Sequence, residues 1–451
     1  MIENIIVLKG TIELQSPALI GCGKDDHTDI DLIKDSKGIP YIPATSLVGV
    51  LRDFIKPSSM NEGVLKEFWG YSVDENSQQS SITCDDLKAI NGDAKQSLVE
   101  IRDGVAIDPK KSIVEDKSKY DFEIIKKGTR FSLYLEARCK QGRINEYSRF
   151  IRTIEASLNN GLIRVGAKTN SGLGRLKLKD DAIYIFDFKD KKDVLSWLKQ
   201  DFTNKKPADE ILPLNIKSND FIIEASLRLK NSFIIRSYPS LPEDPDAVHI
   251  TSADDYVIPG SSLKGALRSR ALRIVNTIEK PYSIIENLFG DVYNDEQQAK
   301  QKGRKKGDAF KGRVTVEEVI LPRFISELQT RIKVDRFTGG TIASALFETK
   351  PLFSSNNEDI KHLKITIKNC EPYEAGLMLL TLKDLFTGDL VVGGEKNIGR
   401  GVFEGLGAEI SYDGKTISID GSLSKLEQDK ILTLNNLVKA FANFSGGGAS
   451  C

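Results

Sequence analysis

The sequence is short of the residues that usually mark redox, zinc or acid–base chemistry. Its five cysteines, Cys22, Cys84, Cys139, Cys370 and Cys451, are dispersed, odd in number and never form a CxxC pair. That pattern argues against a disulfide framework and a cysteine zinc site, and it fits a reducing cytoplasm, the expected location. Only three histidines are present. No apolar run approaches the roughly 20 residues of a membrane span, so no membrane contact is expected. The opening MIENIIVLKGTIEL lacks a basic segment followed by a long apolar stretch, and no secretory signal is expected. Excess charge is missing too, because Lys+Arg and Asp+Glu are both 64. A free-standing nucleic-acid binder is usually basic. Balance of this kind, taken alone, points to a metabolic or scaffold protein. The local exception is 300–313 (KQKGRKKGDAFKGR), a basic run that reads as a solvated loop or a phosphate contact.

What is present is enough apolar material for two or three globular cores, at 451 residues and 40% hydrophobic. Above all, the chain repeats itself. Tyr41–Arg52 reads YIPATSLVGVLR, and Tyr256–Arg268 contains IPGSSLKGALR; Pro43 answers to Pro259 at an offset of 216. Phe68-Trp69-Gly70 answers to Leu288-Phe289-Gly290. Gly172-Leu173-Gly174-Arg175 answers to Asn397-Ile398-Gly399-Arg400 at an offset of 225. The openings 5–21 and 221–237 also correspond. Four matches in the same order point to duplication.

Each copy opens with alternating apolar and polar residues, as a half-buried strand does. An acidic loop follows, and then a proline introduces a helix. Thr45-Ser46 and Ser261-Ser262 supply hydroxyls suited to capping it. Segments 125–139 and 362–374 read as strands. Segments 144–161 and 371–388 read as helices that stop at a glycine. A Gly-rich element then leads into a last strand. Strand–helix–strand–strand–helix–strand is the ferredoxin-like order. The expected fold is therefore α+β: two tandem ferredoxin-like (RRM-like) domains with long insertions. The expected boundaries are 1–186 and 217–412, with a linker at 187–216 that includes a short helix near 193–202. A C-terminal extension, 413–451, ends in a disordered Gly-rich tail.

A helix opening at Pro43 or Pro259 exposes unpaired N–H groups and a positive dipole end, which attract phosphate. Lys264 and Arg268 lie at i, i+4 on one helix face. With the Ser261 and Ser262 hydroxyls they make a set of phosphate ligands that reads no sequence. The first copy keeps Ser46 and Arg52 but has Val48 in place of Lys264, so fewer phosphate ligands are expected there. The alternative is a capped amphipathic helix with no ligand. The Gly-rich elements 164–178 and 391–405 lack the Lys-Ser/Thr of a P-loop. Their glycines let backbone approach a phosphate closely, with Lys168, Arg175, Lys396 and Arg400 as candidates to assist. The alternative is a tight hairpin packed on the sheet.

In this order, the strand, acidic loop, I-P-x-S-S-L-K-G-x-L-R motif, [LF]-[FW]-G and G-x-G-R element resemble the RAMP superfamily of CRISPR-Cas systems. They resemble in particular the backbone subunit of type III effector complexes. The likeness covers roughly 1–180 and 217–410. Its double occurrence resembles the fused backbone units of type III-D systems. The resemblance implies a chain that grips a guide RNA (crRNA), positions target RNA and assembles with other effector subunits in antiviral defence. It implies no small-molecule cofactor. Thumb hairpins would lie at about 101–125 and 331–350, with Arg102, Asp103, Arg336 and Phe337 touching RNA. Sequence would be read by base pairing rather than by the protein.

Some members of the family cut target RNA with an aspartate in the loop after the first strand and a divalent metal, expected to be Mg2+. The loop 23–43 places Asp29 there, with Asp31, Asp26 and Asp25 as rivals. The loop 241–260 offers Asp246 or Asp244, the alignment slipping by one or two residues. Asp29 and Asp246 are the expected catalytic and metal-binding residues. A carboxylate here can bind Mg2+ or orient the ribose 2′-OH for in-line attack. His27 and His249 share these loops, as acid–base groups for metal-free cleavage or as solvent-exposed bystanders. Two other readings remain: a non-catalytic structural backbone, and a metal-independent precursor-processing endonuclease using His27.

Overall fold

The structure is a computed structural model. It describes residues 2–23, 28–58, 60–73, 76–90, 97–108, 114–202, 212–214, 218–239, 243–292, 305, 307, 309–354, 359–420 and 427–445. The chain divides into two compact units. One holds 1–104, 119–169 and 173–217; the other holds 105–118, 170–172 and 218–451. Among the described residues it is an α+β protein of several antiparallel sheets and eight helices.

The first unit is built on β1 (Ile2–Leu14), α1 (Ala44–Ile55), α2 (Glu62–Trp69), β2 (Ile82–Cys84), β3 (Val99–Ile107), β4 (Val114–Ile125), β5 (Arg130–Lys140), α3 (Ile144–Asn159), β6 (Leu176–Asp187) and α4 (Lys191–Leu198), with the 105–107 end of β3 and the 114–118 end of β4 grouped in the other unit. Its sheet runs β6-β1-β5-β2, all antiparallel. This is the strand order of a ferredoxin-like fold. The reason is local: each crossover carries an amphipathic helix that must bury its apolar stripe on one sheet face. Leu47, Leu51 and Ile55 of α1 and Phe150, Ile151, Ile154 and Leu158 of α3 enter one core with Ile6, Leu8, Ile12 and Leu14 of β1.

β1 departs from simple alternation, because Ile5, Ile6, Val7 and Leu8 are all buried. The second face is covered within the stretch read as a linker. Residues 188–202 fold back as α4, and Trp197 donates its Nε1–H to Glu136 at 2.9 Å. Phe188, Trp197 and Phe202 cover Ile5, Val7 and Phe186. The segment therefore acts as a second layer on the sheet. Residues 203–211 and 215–217 lie outside the described residues.

The second unit repeats the plan with β7 (Phe221–Leu229), α5 (Gly260–Thr277), α6 (Ser283–Phe289), β8 (Val314–Val316), β9 (Gln329–Val334), β10 (Thr341–Lys350), β11 (Asp359–Ile367), α7 (Pro372–Thr387), β12 (Phe403–Tyr412), β13 (Lys415–Asp420) and α8 (Gln428–Asn443). Its sheet runs β8-β11-β7-β12-β13. The first four strands match β2-β5-β1-β6 one for one. The extension after 412 is largely structured. β13 adds an edge strand, and α8 buries Leu434 and Phe441 in the core. Gly376 of α7 allows that approach, since a Cβ there would lie 2.1 Å from the Leu437 carbonyl oxygen. The tail from 446 lies outside the described residues.

The backbone corrects one alignment made from letters. Gly166, Lys168, Gly172 and Gly174 have positive φ, and so do Gly393, Glu395, Gly399 and Gly401. Val165 donates to Gly174 O as Val392 donates to Gly401 O. Gly174 therefore answers to Gly401, and the true offset is 227. Arg400 matches Leu173, and Arg175 matches Val402. The G-x-G-R letters repeat two residues out of step, while the left-handed turns fix the register.

Candidate nucleic-acid interface

α1 and α5 open alike, on Pro43 (φ −58°, ψ 137°) and Pro259 (φ −60°, ψ 137°). Neither helix has a side-chain cap, contrary to expectation, because each proline is itself the cap residue and the hydroxyls fall inside the first turn. In the first unit the Ala44 N–H is donated to the Asp86 carboxylate at 2.8 Å. A phosphate arriving there would meet a carboxylate. Arg52 is exposed at the far end of α1, and Ser46 is half-buried.

Asp86 exposes a repeat that the sequence reading missed. Leu87–Lys88 pairs with Tyr41–Ile42 as Val319–Ile320 pairs with Val257–Ile258. Thr83-x-Asp85-Asp86 in the first unit thus answers to Thr315-x-Glu317-Glu318 in the second. The signal was there as two acids after a short apolar strand, but it is too brief to stand out.

In the second unit, Ser261 is exposed and Ser262 is half-buried at the α5 opening. Lys264 sits beside Arg268 and Lys311. Burial first, then these two cations, push its ammonium down to about 8. A nearby anion would reverse that shift. Arg268 reaches Asp291 at 3.3 Å, and Tyr282 also bonds Asp291. The first unit has Val48 at this place and, among the described residues, no such cluster. Most of the basic run near 300 lies outside the described residues.

The acidic loops come next. Asp25, Asp26 and His27 lie outside the described residues. Asp29 and Asp246 occupy equivalent places. The Asp29 carboxylate accepts the Asp121 N–H at 3.3 Å, and the Asp29 N–H is donated to the Asp121 carboxylate at 2.9 Å. The Asp246 carboxylate accepts the Glu348 N–H at 2.8 Å. The next residues then pair in parallel, Ile30 with Phe122 and Ala247 with Thr349. Each aspartate is thus tied to the second strand of its hairpin, opposite a further acid that sequence reasoning did not single out. Asp31 is buried, receives the Thr28 hydroxyl at 2.6 Å and leaves Oδ2 without a partner. Asp244 is exposed. Among the described residues, no three His, Cys, Asp or Glu side chains gather as a metal cage. Two carboxylates still suit Mg2+, which commonly takes one or two and fills its shell with water and substrate phosphate.

His249 is no solvent-exposed bystander. It is 2% exposed. Nδ1 accepts the Ile235 N–H at 3.1 Å, so Nε2 donates to Val257 O at 2.8 Å. Burial holds its pKa down to about 4. It is a neutral core residue.

The thumbs differ. β3 and β4 form a two-stranded ribbon in which Arg102 is 5% exposed beside Glu100, so it offers little surface to a ligand. Asp103 faces Lys119 at 3.9 Å. β9 and β10 form the second ribbon, with Arg336 and Phe337 at its tip. Phe337 is 99% exposed. Asp335 closes the turn by accepting the N–H groups of Phe337 and Thr338 at 2.9 and 2.8 Å.

The Gly-rich elements hold their cations differently as well. Lys168 lies over the Tyr120 and Phe122 rings at 4.3 and 4.5 Å and donates to the Tyr120 hydroxyl. Arg175 is half-buried, and its N–H is donated to Ser16. Lys396 is at the surface, its ammonium held low by lost hydration and by Arg273. Arg400 is 3% exposed and bonded to Glu395 and Gln329. It is buried and clamped between these two side chains.

Two ferredoxin-like units in tandem, each with an acidic loop tied to a two-stranded ribbon, define a class of duplicated α+β protein. The RAMP superfamily model matches residues 11–177 and 229–404, and the chain belongs to that superfamily. No curated protein matches the chain. No helix among the described residues is long and apolar enough to cross a membrane.

Proposed function

We propose that this chain is a crRNA-binding double backbone subunit of a type III, III-D-like CRISPR effector complex. It positions target RNA and cleaves it in its two acidic loops. The family match supports the RNA-binding half. The observation that carries the rest is the equivalence of Asp29 and Asp246, each fastened to the second strand of a two-stranded ribbon. A fully exposed phenylalanine at a hairpin tip suits stacking on bases.

Asp29 with Asp121, and Asp246 with Glu348, would hold the divalent cation. Such an ion supplies Lewis-acid stabilisation of a phosphoryl oxygen. The residues themselves fix the loop, orient the 2′-OH and limit its freedom. A non-catalytic scaffold is the second reading, favoured by one observation: both carboxylates already serve the main chain. His249, neutral and enclosed, gives no support to metal-free cleavage in the second unit.

The test is to purify the chain with its natural partners and sequence any bound small RNA. Guides of defined length with a shared repeat-derived end are expected. A complex that assembles without RNA would sink the reading.

A further inference from the structure

Glu395 stands at the centre of a charge imbalance that the functional reading does not use. Its carboxylate meets Arg236 at 2.8 Å, Arg331 at 2.9 Å and Arg400 at 2.8 Å. The three guanidiniums come from separate parts of the second unit: the strand after β7, the first strand of the second ribbon, and the Gly-rich element. Arg400 is buried, and its Nη1 has no hydrogen-bond partner. Arg236 and Arg331 are 43% and 25% exposed at their side chains. Glu395 is the carboxylate that raises the Arg400 pKa, while burial and the other two arginines lower it. Three positive charges against one leave two uncompensated, partly removed from water. Such a group attracts a second anion, and guanidinium forks match phosphate oxygens in pairs.

We propose that Arg236, Arg331 and Arg400 around Glu395 form a phosphate-binding site of the second unit, whose ligand is a phosphodiester of single-stranded RNA. The RNA half rests on the function proposed above; the anion half stands on the geometry alone. Among the described residues, the first unit has no equivalent. In the register set by the left-handed turns, Glu395 matches Lys168, Arg400 matches Leu173 and Arg236 matches Gly21. The Lys168 ammonium lies on the rings of Tyr120 and Phe122. The two copies therefore divide their work, and the second grips a backbone phosphate at the foot of its ribbon.

The test uses the full chain with Arg236→Gln and, separately, Arg331→Gln. Inorganic phosphate is titrated against thermal stability, with sodium chloride at matched ionic strength as control. A uridine oligonucleotide is then bound across a salt series. Phosphate is expected to raise the wild-type Tm, and each variant is expected to lose at least half of that rise. Oligonucleotide affinity should fall several-fold in each variant, and the salt slope should drop by about 0.7 for each phosphate no longer neutralised. An equal phosphate response in wild type and both variants, or none in wild type, overturns the site. A phosphate response abolished in the variants with unchanged oligonucleotide binding overturns RNA as the ligand. If the wild type binds phosphate but no oligonucleotide, the RNA-binding function fails and the anion site stands.

Discussion

Asp246 and Glu348 lie 102 residues apart, yet the carboxylate of the first accepts the main-chain N–H of the second at 2.8 Å. The bond makes the loop aspartate part of the ribbon, and Asp29 repeats the arrangement with Asp121. The proposed role in chemistry and the observed role in anchoring therefore fall on the same side chain and must be separated by substitution.

Asp29→Asn and Asp246→Asn keep a side-chain acceptor while removing the charge. In the assembled complex with Mg2+, each is expected to slow cutting at its own position roughly hundredfold or more, with Tm unchanged. Gel analysis of labelled target RNA reads the cleavage. Full activity in both Asn variants would leave the aspartates an anchoring role only.

Asp86→Ala frees the Ala44 N–H at the start of α1. The change should destabilise the protein by about 0.5–1 kcal/mol in urea melts. It should also raise RNA affinity at low salt, because a negative charge leaves a helix N-terminus. Weaker RNA binding would mean that Asp86 does not compete with phosphate there.

His249 ties stability to pH. Its folded pKa, about 4, lies below the ordinary value of 6.5, so the unfolded chain takes up a proton that the native protein refuses. Stability should fall as pH drops from about 6.5 towards 4, by up to about 3 kcal/mol from this residue. In His249→Gln that part of the slope should vanish. Urea denaturation at several pH values measures it, and an unchanged slope in the variant would refute the assignment.

Phe337→Ala removes a ring that touches almost nothing in the protein. Stability should change by less than about 0.5 kcal/mol. Chemical probing of the guide–target duplex should show one interruption fewer, at the position served by the second unit. A large stability loss would place the ring in a packing role.

Much of the architecture was legible because duplication writes each signal twice. The paired prolines, the aromatic-Gly steps Trp69-Gly70 and Phe289-Gly290, and the two glycine-ended helices all fall where the repeat put them. Gly70 (φ 73°) and Gly290 (φ 83°) even share a conformation. The Gly-rich register was misread because letters repeat out of phase with backbone geometry. The burial of Arg102 and Arg400 was not legible, because it depends on how the fold packs around each side chain; the acids that pair with them, Glu100 and Glu395, are close in sequence and say nothing of depth. The acids at Asp121 and Glu348 were missed because they lie on ribbon strands, far along the chain from the loops they meet.

The bonds between loop and ribbon have a mechanical consequence. A ribbon pushed aside by an incoming strand drags the aspartate with it. Under the proposed cleavage, the contact that seats the strand would also set the reach of the carboxylate, and a poorly seated strand would leave it out of line.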